Sequence, residues 1–417
     1  MDQIHSKDIY YITCDVLKFL DAKSIRHGQR TAYILYRMLE LTNKYEMFEL
    51  AELAMLATLH DIGAYKTDYQ QDMLKYETQD YMPHSIYGYL YISYLTPMKD
   101  MAKIILHHGT DFNRVPKSDY QYQDVIHILN VAEKMEIYST ALGEKFNYMV
   151  FDKYADTKFS AKALDLLYQA EKRNNIFAKL ASGEYKSELD ELMENLVFTN
   201  EEKKNWVFAL MYIVGFRSEY TMNDVVTCLH ISQLIGKSLM LSQKELDDLY
   251  YGAILHDAGM CAVPREIIEA PRKLTDEEYK SLRNHVMDAY DIMKGRVTPQ
   301  ILEIIAAHHE RSDGSGYPKH LQDYQMNRSQ RILQVADVVT ALTNQRSYRP
   351  AKTKEQVIKI LCEEAERGHL NGEVVRIVTG LYDRIMGVVK GESDKMLYTY
   401  RKLQENYDIT LRQISGN

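Results

Sequence analysis

Two short strings in this 417-residue chain set a histidine and an aspartate at the end of an apolar run: LHDIG at 59–63 and LHDAG at 255–259. Imidazole and carboxylate are both metal-ligand types, and more residues of the two types follow each string in the same order. After the second string come His285, the adjacent His308 and His309, and Asp337. After the first come His84, the adjacent His107 and His108, and Glu133, while upstream His27 stands opposite Asp224. The offset between copies stays between 196 and 204 residues, and at 201 it pairs His107 with His308 and His108 with His309. A lone histidine on an apolar face is usually a packed core residue. A set repeated in order at near-constant spacing points instead to a duplicated metal-binding domain.

The candidate ligands are therefore Asp224, His256, Asp257, His285, His308, His309 and Asp337 in the second copy. In the first they are His27, His60, Asp61, His84, His107, His108 and Glu133. Six or seven ligands exceed one tetrahedral ion and suit two cations sharing a carboxylate. The mixed nitrogen and oxygen donors favour transition metals over Ca or Mg. Paired cations make hydroxide available at neutral pH for in-line attack on phosphorus. Both HD pairs end a helical run, where the helix dipole favours a cation. The glycines two residues on, Gly63 and Gly259, are expected to supply left-handed caps.

The second copy resembles the HD-GYP domain, a helical branch of the HD superfamily of metal-dependent phosphohydrolases. The residues that carry the likeness are HDAG at 256–259, HHERSDGSGYP at 308–318, RILQVADVVTAL at 331–342 and QRSYRP at 345–350. It covers roughly residues 200–390, and the first copy is similar to the broader HD domain, with HDIG and HHG but no GYP segment. The resemblance implies hydrolysis of a cyclic dinucleotide, mainly cyclic di-GMP and in some members cyclic GMP-AMP, with two or three divalent metals, Fe or Mn favoured. It makes Asp257 the bridging ligand, with His285 beside it at the reacting centre, and Gly316, Tyr317 and Pro318 the signature loop. Tyr317, Arg346 and Arg349 would face the substrate, and Arg311 and Asp313 would orient the catalytic groups.

The pattern is broken in places. Met260 stands where the family has a phosphate-contacting lysine, and Asp224 replaces an upstream histidine. Glu219 matches an acidic position used by members with a third metal. The first copy has Glu133 for the final aspartate and Ala64 for the lysine, with Lys66 two residues further on. These departures motivate two other readings: a cyclic dinucleotide receptor or scaffold without turnover, and a nucleotide phosphohydrolase acting through the first copy.

Helical elements must position these groups. Apolar residues recur at three- and four-residue intervals through 49–60 and 245–256. Capping boxes open helices at Thr199–Glu202, Ser242–Glu245, Thr275–Glu278 and Thr353–Gln356. Only 8 Pro and 19 Gly interrupt the chain, which makes sandwiches and propellers unlikely folds. The expected class is all-α, a tandem of HD-type helical bundles over 1–195 and 196–417, with extra helix over 141–180 and short hairpins near 109–120 and 311–328. A net charge of −8 gives no reason for a nucleic-acid duplex as partner. The longest apolar run, 206–216, is too short to cross a membrane. The four scattered cysteines read as reduced thiols, and with no signal-peptide pattern the expected setting is the cytoplasm. A homodimer is the one protein partner left open.

Overall fold

The computed structural model describes residues 2–65, 82–215, 219–345 and 350–415, except the side chains of 219, 220 and 415. Among these the chain is helical, and extended pairing is confined to the isolated bridges Ile4 with Val297, Ala155 with Phe159, and Asp313 with Gln322. The hairpin expected over 109–120 is a short 3-10 turn, Phe112–Arg114, and that over 311–328 reduces to the single Asp313–Gln322 bridge. Both segments are short and polar, so side chains and turns satisfy their backbone without a ladder. The extra helix expected over 141–180 is broken: 3-10 turns occupy Gly143–Lys145 and Tyr148–Tyr154, and regular helix resumes at Ala161–Asn174 and Ile176–Ser182. All four expected capping boxes close, as in Ser242, whose hydroxyl accepts from the Glu245 amide.

The chain divides into two compact units. The first unit is Leu20–Trp206 with Arg401–Asn417, and the second is Met1–Phe19 with Val207–Tyr400. The linear division at residue 195 thus misses an exchange of both termini. The cause at the amino end is local. Ser6–Glu40 is two helices joined at Asp21, whose carboxylate accepts from the amides of Lys23 (2.8 Å) and Ser24 (3.3 Å) and so caps the second of them. At the carboxyl end, Tyr407 stacks on Tyr87 at 4.3 Å and Asn406 donates to the Tyr94 hydroxyl, both within the first unit.

Each unit is built the same way. In the second, helices Glu219–Ser238, Gln243–Leu255, His285–Met293, Pro299–Ala306 and Arg328–Thr343 pack on one another around Val225, Ile254, Val286, Ile305 and Val339, all fully buried. In the first, Met82–Leu95, Ala102–His107 and Gln123–Leu142 hold the matching places around Ile86, Ile105 and Leu129. All four cysteines are free thiols.

Gly63 and Gly259 are not left-handed caps. Neither has a positive φ, and each lies in a 3-10 turn, Ile62–Tyr65 or Ala258–Ala262, that continues the chain past the HD pair. Glycine is needed there for close approach. A β-carbon on Gly259 would overlap the His285 carbonyl oxygen, and one on Gly63 would overlap that of His84. The turn therefore brings the HD pair onto the helix that carries the next histidine.

Candidate metal centres

Leaving the helix at His256 makes the two neighbouring side chains converge. His256 Nε2 is 3.3 Å from Asp257 Oδ2, and in the first unit His60 Nε2 is 3.1 Å from Asp61 Oδ2. Asp257 Oδ1 then faces His285 Nε2 at 3.4 Å and His308 Nε2 at 3.9 Å, whose rings meet Nε2 to Nε2 at 3.1 Å. His309 completes a three-histidine cluster with His285 and His308, and its Nδ1 lies 3.3 Å from Asp337 Oδ2. Asp257 thus spans the groups on either side of it.

The rings are held from behind. The Nδ1 atoms of His256, His285 and His308 lie 2.8, 2.5 and 2.7 Å from the carbonyl oxygens of Ala253, Leu282 and Ile305, each three residues back. A carbonyl only accepts, so Nδ1 carries a proton and Nε2 is turned into the cluster. Burial, with His309 and His256 beside it, keeps the His308 pKa well below its ordinary value, and burial also lowers that of His285. Burial alone would lower His256 too, but the adjacent Asp257 charge carries it up to about 9. Asp257 is held well below the usual carboxylate range by His256, against the pull of burial. A proton between His256 and Asp257 occupies a place suited to a cation.

The first unit repeats this with one ligand fewer. Asp61 Oδ1 faces His84 Nε2 at 3.5 Å and His108 Nε2 at 3.6 Å, and three overlapping clusters gather His27, His60, Asp61, His84, His108 and Glu133. Glu133 Oε2, clustered with His60 and His108, is buried without a hydrogen-bond partner among the described residues, which marks a place that a cation fits. Glu133, against burial, is lowered to about 2 by Lys134 and the nearby histidines. The spacing reading is corrected at the histidine pair. His108, not His107, matches His308: its Nδ1 lies 2.6 Å from the Ile105 carbonyl and its Nε2 is 3.4 Å from His84. His107 belongs to none of the clusters; burial lowers its pKa to about 4, with Lys103 next in effect. The first copy therefore has no equivalent of His309, because Gly109 stands there.

The upstream position differs in charge between copies. His27 puts Nδ1 against buried Glu136, which also accepts from Arg30 Nε at 2.6 Å and Thr140 at 2.6 Å, while Nε2 faces Asp61 at 3.8 Å. Asp224 instead accepts from the Asn344 amide at 2.8 Å and, among the described residues, lies in no cluster of three donors. A histidine backed by a carboxylate is thus exchanged for a carboxylate backed by an amide.

The HHERSDGSGYP segment folds back on its own start. The Tyr317 amide donates to the His309 carbonyl at 3.1 Å, and the Tyr317 ring lies 4.9 Å from that of His309. The Arg283 guanidinium covers Tyr317 at 4.1 Å. Glu310, fully buried, accepts from the amides of Lys319 (2.6 Å) and Leu321 (2.8 Å). Arg311 and Asp313 point elsewhere: Arg311 faces Glu364 at 3.9 Å, and Asp313 accepts from Ser315 and faces His369 at 3.6 Å. Met260 sits half-buried in the turn after the HD pair. Arg346, Arg349 and Lys66, and the side chain of Glu219, lie outside the described residues.

Sequence reasoning passed over Glu310, Arg283, Asn344 and Glu136. Glu310 was readable as the carboxylate directly after the histidine pair, and Glu136 as the residue one turn beyond Glu133 on the same face. Arg283 and Asn344 carry no signal of their own.

Helical units that converge histidines on an HD aspartate define an HD-type metal centre. Residues 195–374 match the HD domain family. The chain is 23% identical over 394 residues to 3'3'-cGAMP-specific phosphodiesterase 1 of Vibrio cholerae, spanning 90% of this chain and 91% of that one. It is 30% identical over 204 residues to a cyclic di-GMP phosphodiesterase of Thermotoga maritima, spanning 46% of this chain and 54% of that one. With 3'3'-cGAMP-specific phosphodiesterase 2 of Vibrio cholerae it is 32% identical over 200 residues, 46% of this chain and 37% of the other. Beyond the first, then, the chain spans about half or less of these relatives. Its fold is similar, at a TM-score of 0.54 and 15% identity, to a crystal structure of a Vibrio cholerae cyclic GMP-AMP-specific phosphodiesterase, covering 91% of this chain and 98% of that one. No helix among the described residues is long and apolar enough to cross a membrane.

Proposed function

We propose that the second unit hydrolyses a guanine-bearing cyclic dinucleotide, cyclic di-GMP or 3'3'-cyclic GMP-AMP, at a phosphodiester bond. The observation that carries this reading is Asp257 spanning His256 on one side and His285 and His308 on the other, with the His309–Asp337 pair beside them. His256, Asp257 and Asp337 would hold one divalent cation, and Asp257, His285, His308 and His309 a second. Fe or Mn suits these donors. When bound, such cations supply Lewis acidity and a nucleophilic hydroxide.

The chain's own residues do the rest. Backbone carbonyls behind His256, His285 and His308 fix the rings before substrate arrives, so no reorganisation is needed. The Tyr317 ring, held by Arg283 and by its own amide, forms a wall beside His309 on which a base or ribose can rest. Arg311 and Asp313 act by holding the loop through Glu364 and His369. Arg346 and Arg349 would meet the phosphates.

The deciding experiment is turnover of both cyclic dinucleotides by the full chain, purified without oxygen and supplied with Mn or Fe(II), beside Asp257→Ala. Linear product that disappears in the variant supports the assignment, and product that survives moves the chemistry to the first unit. Met260 favours a second reading, a receptor, because it offers a phosphate neither charge nor donor. Tight binding of either nucleotide with metal present and no product would establish that reading instead.

A further inference from the structure

The first unit contains a cleft that meets its metal-ligand cluster only at His27. It has a volume of about 590 Å³ and is lined by Lys23, Arg26, His27, Arg30, Phe146 and Phe177, all within that unit. The size falls in the usual span for small-molecule sites, roughly 300–1,000 Å³. Its lining includes Glu136, which meets His27 Nδ1, but not Asp61, which His27 faces through Nε2.

Its chemistry is lopsided. Three cations line the cleft against one carboxylate, Glu136, and that carboxylate is already engaged by His27, Arg30 and Thr140. Arg30 is tied down, with Nε on Glu136 and Nη1 on the Leu180 carbonyl at 2.8 Å. Lys23 and Arg26 are different: both are exposed at the mouth, and among the described residues no carboxylate pairs with either. Two like charges one turn apart on a helix repel each other and cost stability unless an anion joins them. The half-buried rings of Phe146 and Phe177 line the same cleft and meet edge to face at 4.8 Å.

We propose that this cleft is a second ligand site, for a nucleotide-class anion whose phosphate is held by Lys23 and Arg26 and whose base packs on Phe146 and Phe177. The inference does not rest on the activity proposed for the second unit. Neither part suffices alone: the cations would take a phosphate without selectivity, and the two phenyl rings would hold a base only weakly. Because the phosphate is read by exposed cations, affinity falls as salt is added.

The test is calorimetric titration of the full-length Asp257→Ala protein, freed of metal with EDTA, with GMP, AMP, guanosine and inorganic phosphate. A mononucleotide is expected to bind, and guanosine and phosphate to bind at least about tenfold more weakly, one charge-assisted contact's difference. The double substitution Lys23→Glu/Arg26→Glu is expected to abolish mononucleotide binding with the melting temperature unchanged, since both residues are exposed. Phe177→Ala is expected to reduce mononucleotide affinity to that of phosphate. Binding untouched by the charge reversal overturns the location. Absence of heat with both mononucleotides overturns the ligand class. Equal affinity for GMP and phosphate overturns the aromatic half of the site.

Discussion

Gly259 lies so close beneath His285 that any β-carbon on it would collide with the His285 carbonyl oxygen. Gly63 stands in the same relation to His84 in the other unit. In each case the contact is between backbones, which cannot yield as the end of a side chain can. Gly259→Ala is therefore expected to push the His285 helix away from the HD turn and to destabilise the second unit by about 1–3 kcal/mol or more. Gly63→Ala should do the same to the first unit. Urea denaturation followed by hydrogen exchange of each unit checks this. Loss of protection confined to the mutated unit is the expected result, and unchanged protection would remove the close-approach argument.

Glu310 closes the loop that brings Tyr317 to His309. Its two oxygens serve the Lys319 and Leu321 amides, and it is fully buried, so Glu310→Gln leaves one amide facing an NH2 group. Loss of a hydrogen bond to a buried charged group costs about 1.5–3 kcal/mol. The expected outcome is a lower melting temperature with metal content retained, and turnover that falls through kcat as the Tyr317 wall loosens. Metal analysis alongside kinetics separates this from damage to the ligands.

The helical class, the duplication and every clustered donor were legible because they rest on residue type and order. The repeat survives in sequence since each ligand must return to the same helix position. What was not legible depends on where backbones touch. Nothing in the strings HDIG and HDAG distinguishes a left-handed cap from a helix pressed against glycine, and the two demand the same residue for different reasons. The exchange of termini between units is set by the Asp21 break and by Tyr407 stacking on Tyr87, 320 residues apart in sequence, with no local signature. Register at the histidine pair was misread because two adjacent histidines offer two alignments. The carbonyl three residues back selects His108.

That selection makes a direct prediction. His108→Ala removes a donor shared by two of the first unit's clusters, whereas His107→Ala removes a residue outside all of them. Metal content per chain, measured after dialysis against limiting Mn, is expected to drop for His108→Ala and to match the parent for His107→Ala. Equal losses in the two variants would restore the pairing of His107 with His308. Chelation by EDTA is expected to lower the melting temperature of the parent and of His107→Ala alike, because ions that bind only the folded state stabilise it.

Glu52 supplies the clearest pH effect away from the metal centres. Burial, reinforced by Glu202 and Glu49, lifts its pKa from 4.5 to about 7. The folded value lies above the unfolded one, so the carboxyl favours the folded state at acid pH. That contribution is complete below about pH 4.5 and is lost as pH rises through about 7. Glu52→Gln keeps the shape and removes the charge, and should raise the melting temperature at pH 8 while leaving it unchanged at pH 4. The side chain is partly in contact with solvent, so only part of the shift converts to stability, and the rise should not exceed about 2–4 °C. Melting curves of parent and variant across this range check the sign. A variant that is less stable than the parent at pH 8 would show that Glu52 is held by an attraction rather than strained by burial and its acidic neighbours.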